Sequence, residues 1–143
     1  DNIAFGLRLL SKDQIKKRVL ECLKLVGLEE SILFLKPSEI SYGMQKRVSI
    51  ARTIATGPNY LLFDEPTTAL DPVSTNAINE LIFELSRKLK VTSIVVSHDM
   101  GCALRIADKI LVLDNAKILA HGSQEEIKQH PSPLIQDFLK EAI

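Results

Sequence analysis

The sequence has no tryptophan, and only five Phe and two Tyr among its 143 residues. That argues against a surface built to stack nucleobases. It also lacks an excess of either charge: 18 Lys and Arg face 18 Asp and Glu. A dedicated nucleic-acid binder would carry a strongly basic patch and a basic balance. No run of 18 apolar residues occurs, so no membrane-spanning helix is expected. The two cysteines, Cys22 and Cys102, form no Cys-x-x-Cys pair. A disulfide framework or cysteine metal site is thereby excluded, and reduced thiols are expected. Also absent is the phosphate loop G-x-x-x-x-G-K-[ST]. The six glycines stand elsewhere, at positions 6, 27, 43, 57, 101 and 122.

What is present is a strand–helix alternation. Ser11 and Gln14 have the spacing of a capping box, and Ile15, Val19, Leu23 and Val26 recur at helical period. Gly27 is a natural stop. A helix over 12–26 is expected, followed by an irregular stretch over 28–39. A second helix should run from Tyr42 to Ala55, ending at Gly57-Pro58. Tyr60–Phe63 is a continuous apolar run, the pattern of a parallel strand buried on both faces. Asp71-Pro72 opens a third helix, with Asp71 as cap and Pro72 as first residue. Thr92–Val96 reads as a second buried strand, Met100–Ala107 as a short helix and Ile110–Leu113 as a third strand. A turn at Asp114-Asn115-Ala116 leads into a hairpin with Ile118–Ala120. Ser123 and Glu126 form another capping box, and Pro131 and Pro133 punctuate before a final helix. The pattern is α/β, with a parallel sheet between helices.

Chemistry gathers at the strand ends. Open α/β sheets bind ligands beyond the carboxyl ends of their strands. Asp64-Glu65-Pro66 ends one apolar strand, and Ser97-His98-Asp99 ends the next. Two adjacent acids at a strand tip can hold a metal–nucleotide and activate water. Upstream, Ser41-Tyr42-Gly43 opens a helix, and a helix start favours phosphate. Each signal alone has an ordinary structural reading, as a strand end, a turn or a cap. His121 and His130 have no spacing that suggests a metal site.

In combination these motifs resemble the ATP-binding-cassette (ABC) ATPases, the motor subunits of ABC transporters. Ser41-Tyr42-Gly43-Met44-Gln45 resembles the signature motif, and Leu61–Glu65 the Walker B strand with its catalytic glutamate. Ala69-Leu70-Asp71 resembles the D-loop, and His98 the switch histidine. Within the family, Gly43-Met44-Gln45-Lys46-Arg47, Val95–Asp99, Ile118–Ser123 and the Pro131-Ser132-Pro133 tail resemble the ATPases of phospholipid-asymmetry (Mla-type) transporters. Amino-acid importer ATPases share much of that wording.

The resemblance implies a partial P-loop NTPase core. Residues 1–56 would form a helical subdomain with the signature. Residues 57–143 would form the catalytic core, ending in a β-hairpin and helices. The phosphate-gripping front half of such a cassette has no counterpart here, so the chain is expected to be a fragment that does not hydrolyse ATP alone. The strand Thr92–Val96 would then present an open apolar edge, a liability for aggregation. ATP and Mg²⁺ are the implied ligands. Asp64 would hold Mg²⁺ through its waters, Glu65 would orient or deprotonate the attacking water, and His98 would sense the γ-phosphate. Ser41 and the amides of Tyr42 and Gly43 would contact the γ-phosphate of ATP held by another subunit. Asp71 would bridge the two protomers. Tyr42 replaces the first signature glycine, and its ring is expected to restrict φ and crowd the phosphate.

The implied partners are a second ATPase subunit, head to tail, and membrane permease subunits, on the cytoplasmic face of the inner membrane. Nucleic acid is not among them. The implied cargo is lipid-related. Two other readings stay open: a non-transport ABC protein of DNA repair or translation, and a degenerate remnant that no longer hydrolyses ATP.

Overall fold

A computed structural model describes residues 2–141. The chain divides into two compact units, Asp1–Val95 and Val96–Ile143.

In the first unit, a 3-10 turn at Ile3–Gly6 precedes helix α1, Lys12–Leu25. The Ser11 hydroxyl accepts the Gln14 amide, and the Gln14 side chain accepts the Ser11 amide, completing the capping box. Val19, Cys22, Leu23 and the capping Val26 are buried, as the helical period requires. Gly27 ends the helix at φ +66, a left-handed position that favours glycine. Two 3-10 turns, Glu30–Phe34 and Pro37–Glu39, carry the chain to helix α2, Tyr42–Ala55. Its buried side is Ile50, Ala51, Ile54 and Ala55.

The two helices hold each other's carboxyl ends. Arg18 of α1 donates to the carbonyls of Ala55 (3.0 Å) and Ile54 (2.9 Å) at the end of α2. Arg47 of α2 donates to the carbonyl of Val26 (2.7 Å), just past the end of α1. The last carbonyls of a helix have no partner within it; the guanidinia supply donors to those of Ala55 and Val26, while the Ile54 carbonyl also accepts the Thr56 and Gly57 amides. The pairing also makes the helices antiparallel.

Strand β1, Tyr60–Asp64, helix α3, Pro72–Leu89, and strand β2, Thr92–Val96, follow. β1 and β2 form a two-stranded parallel sheet, with α3 as crossover. α3 is capped at both ends. Asp71 accepts the amides of Val73 and Ser74 (both 3.0 Å) at its start. Lys90 closes it in the left-handed region, at φ 54. Its buried residues are Ile78, Asn79, Leu81, Ile82 and Leu85.

The strands differ from the expectation of burial on both faces. Leu61 and Phe63 are buried, whereas Tyr60 is 67% and Leu62 73% exposed. In β2, Ile94 and Val96 are likewise more than half exposed. One face of the sheet is covered and the other is open. A continuous apolar run specifies what could be buried, not how many layers are there to bury it.

In the second unit, α4 (Met100–Ile106) leads to β3 (Ile110–Asp114), β4 (Lys117–Gly122), α5 (Gln124–Lys128) and α6 (Pro133–Glu141). β3 pairs with β4 antiparallel, and a register break between Val112 and Leu113 leaves Leu119 as the extra residue. The turn between them holds Asn115 (φ 47) and Ala116 (φ 59) in the left-handed region. Such a turn matches the twist of hairpin strands. The third strand therefore makes a hairpin, in a two-stranded sheet with β4. Ile110, Val112, Ala120, Ile127, Ile135 and Leu139 form the core of this unit. Ser123 and Glu126 form the expected capping box at α5. Among the described residues, no helix is long and apolar enough to cross a membrane.

Candidate functional site

The first unit contains Ser41, Tyr42, Gly43, Asp64, Glu65 and Asp71. His98 belongs to the second and is described by itself.

Ser41 is the N-cap of α2. Its backbone is extended (φ −63, ψ 158), and its hydroxyl accepts the Met44 amide at 3.3 Å. Tyr42 is the first residue of the helix and does not take a positive φ. The expected restriction on φ therefore costs nothing here, because the backbone asks for no glycine. Its ring is half-exposed, with the Lys46 ammonium 5.3 Å from its centroid. Gly43, one residue further, is also helical. A Cβ there would meet only the Ser74 hydroxyl, at 3.9 Å, an ordinary contact. Neither backbone nor crowding requires glycine at this point, yet glycine in a helix costs about 0.5–1 kcal/mol relative to alanine.

Ser74 links two of the motifs. Its hydroxyl stands 3.9 Å from where a Cβ on Gly43 would be, while its amide donates to Asp71. The starts of α2 and α3 are thus brought together. Hydrogen bonds from the Ser74 side chain and amide, and then from the Val73 amide, hold the Asp71 carboxyl below the ordinary carboxylate range. Asp71 is therefore a charged cap at the positive end of α3.

Asp64 ends β1 and is exposed; Glu65 is half-buried directly beyond it. Glu65 has φ 46, an uncommon conformation for a residue with a Cβ. Its carboxylate accepts the Thr68 hydroxyl at 3.2 Å, and its carbonyl accepts the Thr68 amide at 3.3 Å. Thr68 thus anchors the glutamate from within its own turn. Ala69, at φ 64, makes a second left-handed kink before Asp71. Thr68 went unread in the sequence; its only signal is a hydroxyl three residues after an acid at a strand end. In the second unit, His98 lies exposed between β2 and α4. Next to it, Asp99 caps α4 by accepting the Cys102 amide at 3.0 Å.

Among the described residues, no group of three or more His, Cys, Asp or Glu could hold a metal with protein ligands alone. Mg²⁺ does not need one. It keeps several waters and is typically held by one or two carboxylates together with substrate phosphates. The exposed carboxylate of Asp64 fits that mode.

A family profile described as "ABC transporter" matches residues 2–68. Among curated relatives, the methionine import ATP-binding protein MetN of Lactobacillus johnsonii is 40% identical over 133 residues, covering 92% of this chain and 38% of the relative. MetN of Carboxydothermus hydrogenoformans is 39% identical over 145 aligned residues, covering 99% of this chain and 43% of the relative. Among solved structures, the dimeric ATP-binding cassette MJ0796 in a post-hydrolysis state, bound to ADP and Pi, superposes with a TM-score of 0.68 at 36% identity. That match covers 80% of this chain and 49% of the other. The chain thus spans less than half the length of these relatives.

Proposed function

From the premise that this chain is part of an ABC ATPase domain, we propose that it supplies the signature and hydrolysis elements of an ATP-driven transporter subunit. Residues 1–56 act as the helical subdomain and residues 57–143 as the catalytic core. Ser41 and the amides of Tyr42 and Gly43 contact the terminal phosphate of ATP held by a second ATPase subunit, arranged head to tail. Oriented donors at a helix start stabilise charge there without reorganising. Asp71 bridges the subunits. Asp64 would hold Mg²⁺, whose charge offsets that of the phosphates when it is bound. Glu65 orients or deprotonates the attacking water, and His98 hydrogen-bonds the terminal phosphate.

The observation that carries this reading is the backbone of Glu65. A residue with a side chain in the left-handed region costs about 1–2 kcal/mol relative to the right-handed one. Glycine or asparagine would sit at φ 46 with less strain. Strain of this kind clusters at sites whose chemistry needs a particular side chain in place. Here it puts a carboxylate, tethered by Thr68, at the tip of a strand.

The cargo reading changes. The lipid-related cargo expected from the signature wording finds no support among the matched relatives, whose names specify methionine import. Import of a small solute, with an amino acid as the first candidate, is the reading put forward. Membrane permease subunits complete the assembly, and the ATPase sits on the cytoplasmic face of the membrane. Nucleic acid has no part in it.

The test is Glu65→Gln in the full-length ATPase that contains this chain. ATP turnover should fall by roughly 10²- to 10⁴-fold, the usual range for losing a general base, while nucleotide binding persists. Unchanged turnover would refute the assignment.

A further inference from the structure

We infer that Gln45 is a positioning residue for the signature, acting through the backbone of the segment that delivers Ser41. This rests on the functional reading above. Gln45 lies in the first turns of α2 and is half-buried. Its side-chain amide nitrogen reaches back past the helix start. It donates to the carbonyl of Pro37 at 2.9 Å and to that of Ile40 at 3.4 Å. Both N–H groups of one amide thus tie down the residues leading into the cap.

Among the described residues, the side-chain hydrogen bonds that tie this segment to α2 come from Gln45. Residues 33–39 are exposed and lie outside any regular helix or strand longer than a single turn. The 3-10 turn at Pro37–Glu39 is closed locally, by the Glu39 carboxylate on the Lys36 amide and the Glu39 amide on the Lys36 carbonyl at 2.9 Å. Local closure fixes the shape of the turn but not its position relative to α2. Gln45 supplies that second constraint, from a helix whose other bonds run to α1. The carbonyl of Ile40 is the last one before Ser41. Holding it fixes the peptide plane from which the Ser41 hydroxyl and the first amides of α2 project. Preorganised donors stabilise a transition state because they need not reorient. Gln45 touches no reacting atom; it sets the direction of those that do.

The role makes a specific kinetic demand. The other subunit grips the nucleotide, and the signature meets it only on closure. Loss of positioning therefore removes transition-state stabilisation rather than ground-state binding, and shows in kcat and not in KM. The test uses the full-length ATPase containing this chain, with Gln45→Met (same length, no donor) and Gln45→Glu (oxygens facing the two carbonyls). Both should lower kcat, by roughly tenfold to a hundredfold, as misplacements near 1 Å do, with Glu the more damaging. KM for ATP and the thermal midpoint should stay unchanged. Amide hydrogen exchange should quicken over residues 38–44 and not over α1. Unchanged kcat in both variants, or a kcat loss that merely tracks the loss of folded protein, overturns the inference. If Gln45→Glu does not fold, Gln45→Met decides alone. Ser41→Ala separates the two levels. If it leaves turnover intact, the functional reading fails; if it abolishes turnover while Gln45→Met does not, only the positioning role fails.

Discussion

The helical pair α1–α2 and the sheet β1–β2 stand in the same unit and close themselves in opposite ways. The helices complete each other: their apolar stripes face inward, and each supplies a guanidinium to the other's carbonyl end. The sheet is covered on one side only, with Leu61 and Phe63 buried and Tyr60, Leu62 and Ile94 out in solvent. A helix satisfies its own backbone and needs only one apolar face covered. A parallel strand rich in apolar residues needs a layer on each side. The first unit therefore holds a finished helical element and a half-covered sheet.

Truncation on either side should break that symmetry most. Ile54→Ala removes a side chain with no exposure and should destabilise by about 2–5 kcal/mol, as deletions in well-packed cores do. Leu62→Ala, at 73% exposure, should change stability by less than about 0.5 kcal/mol. Urea unfolding of the two variants measures the contrast directly. Equal losses would mean that the open face is covered after all.

A smaller effect should come from the arginines. Arg18→Ala removes the side-chain donor from the Ala55 carbonyl and one of several donors from that of Ile54, which keeps the Gly57 amide, and should cost about 1–3 kcal/mol. Arg47→Ala takes the side-chain donor from the Val26 carbonyl and should cost about as much. The double variant tests whether the two clamps act independently, since coupled groups deviate from additivity.

The smallest and most specific effect is that of acid on α3. Folding lowers the Asp71 carboxyl's affinity for protons, through Ser74 first and Val73 after it. The stabilisation is therefore complete above the ordinary carboxylate range and is lost as the pH falls through the lowered value. Asp71→Asn keeps a capping oxygen but cannot titrate, so the acid-induced loss of protection at the start of α3 should flatten. An unchanged acid profile would place the titration elsewhere.

Local chemistry was readable in the sequence, and long-range completion was not. The capping boxes at Ser11 and Ser123, the Asp71-Pro72 start, the Gly27 stop and both ends of α2 follow from side chains within four residues of each other. The guanidinium clamps join residues 37, 36 and 21 positions apart, beyond any periodicity. The open sheet face depends on which layers exist, and a run such as Tyr60–Phe63 carries no record of that. The left-handed turns at Glu65 and Ala69 were also hidden, because neither residue type announces a positive φ. Of the candidate site, the residue types and their order were legible. The Thr68 tether, the Ser74 link and the Gln45 brace emerged only with coordinates.

The crossed arginines carry a mechanical implication. Because α1 and α2 are fastened at opposite ends, a push on one cannot slide or tilt it without dragging the other. Displacing either helix along its axis therefore strains hydrogen bonds near the carboxyl ends of both.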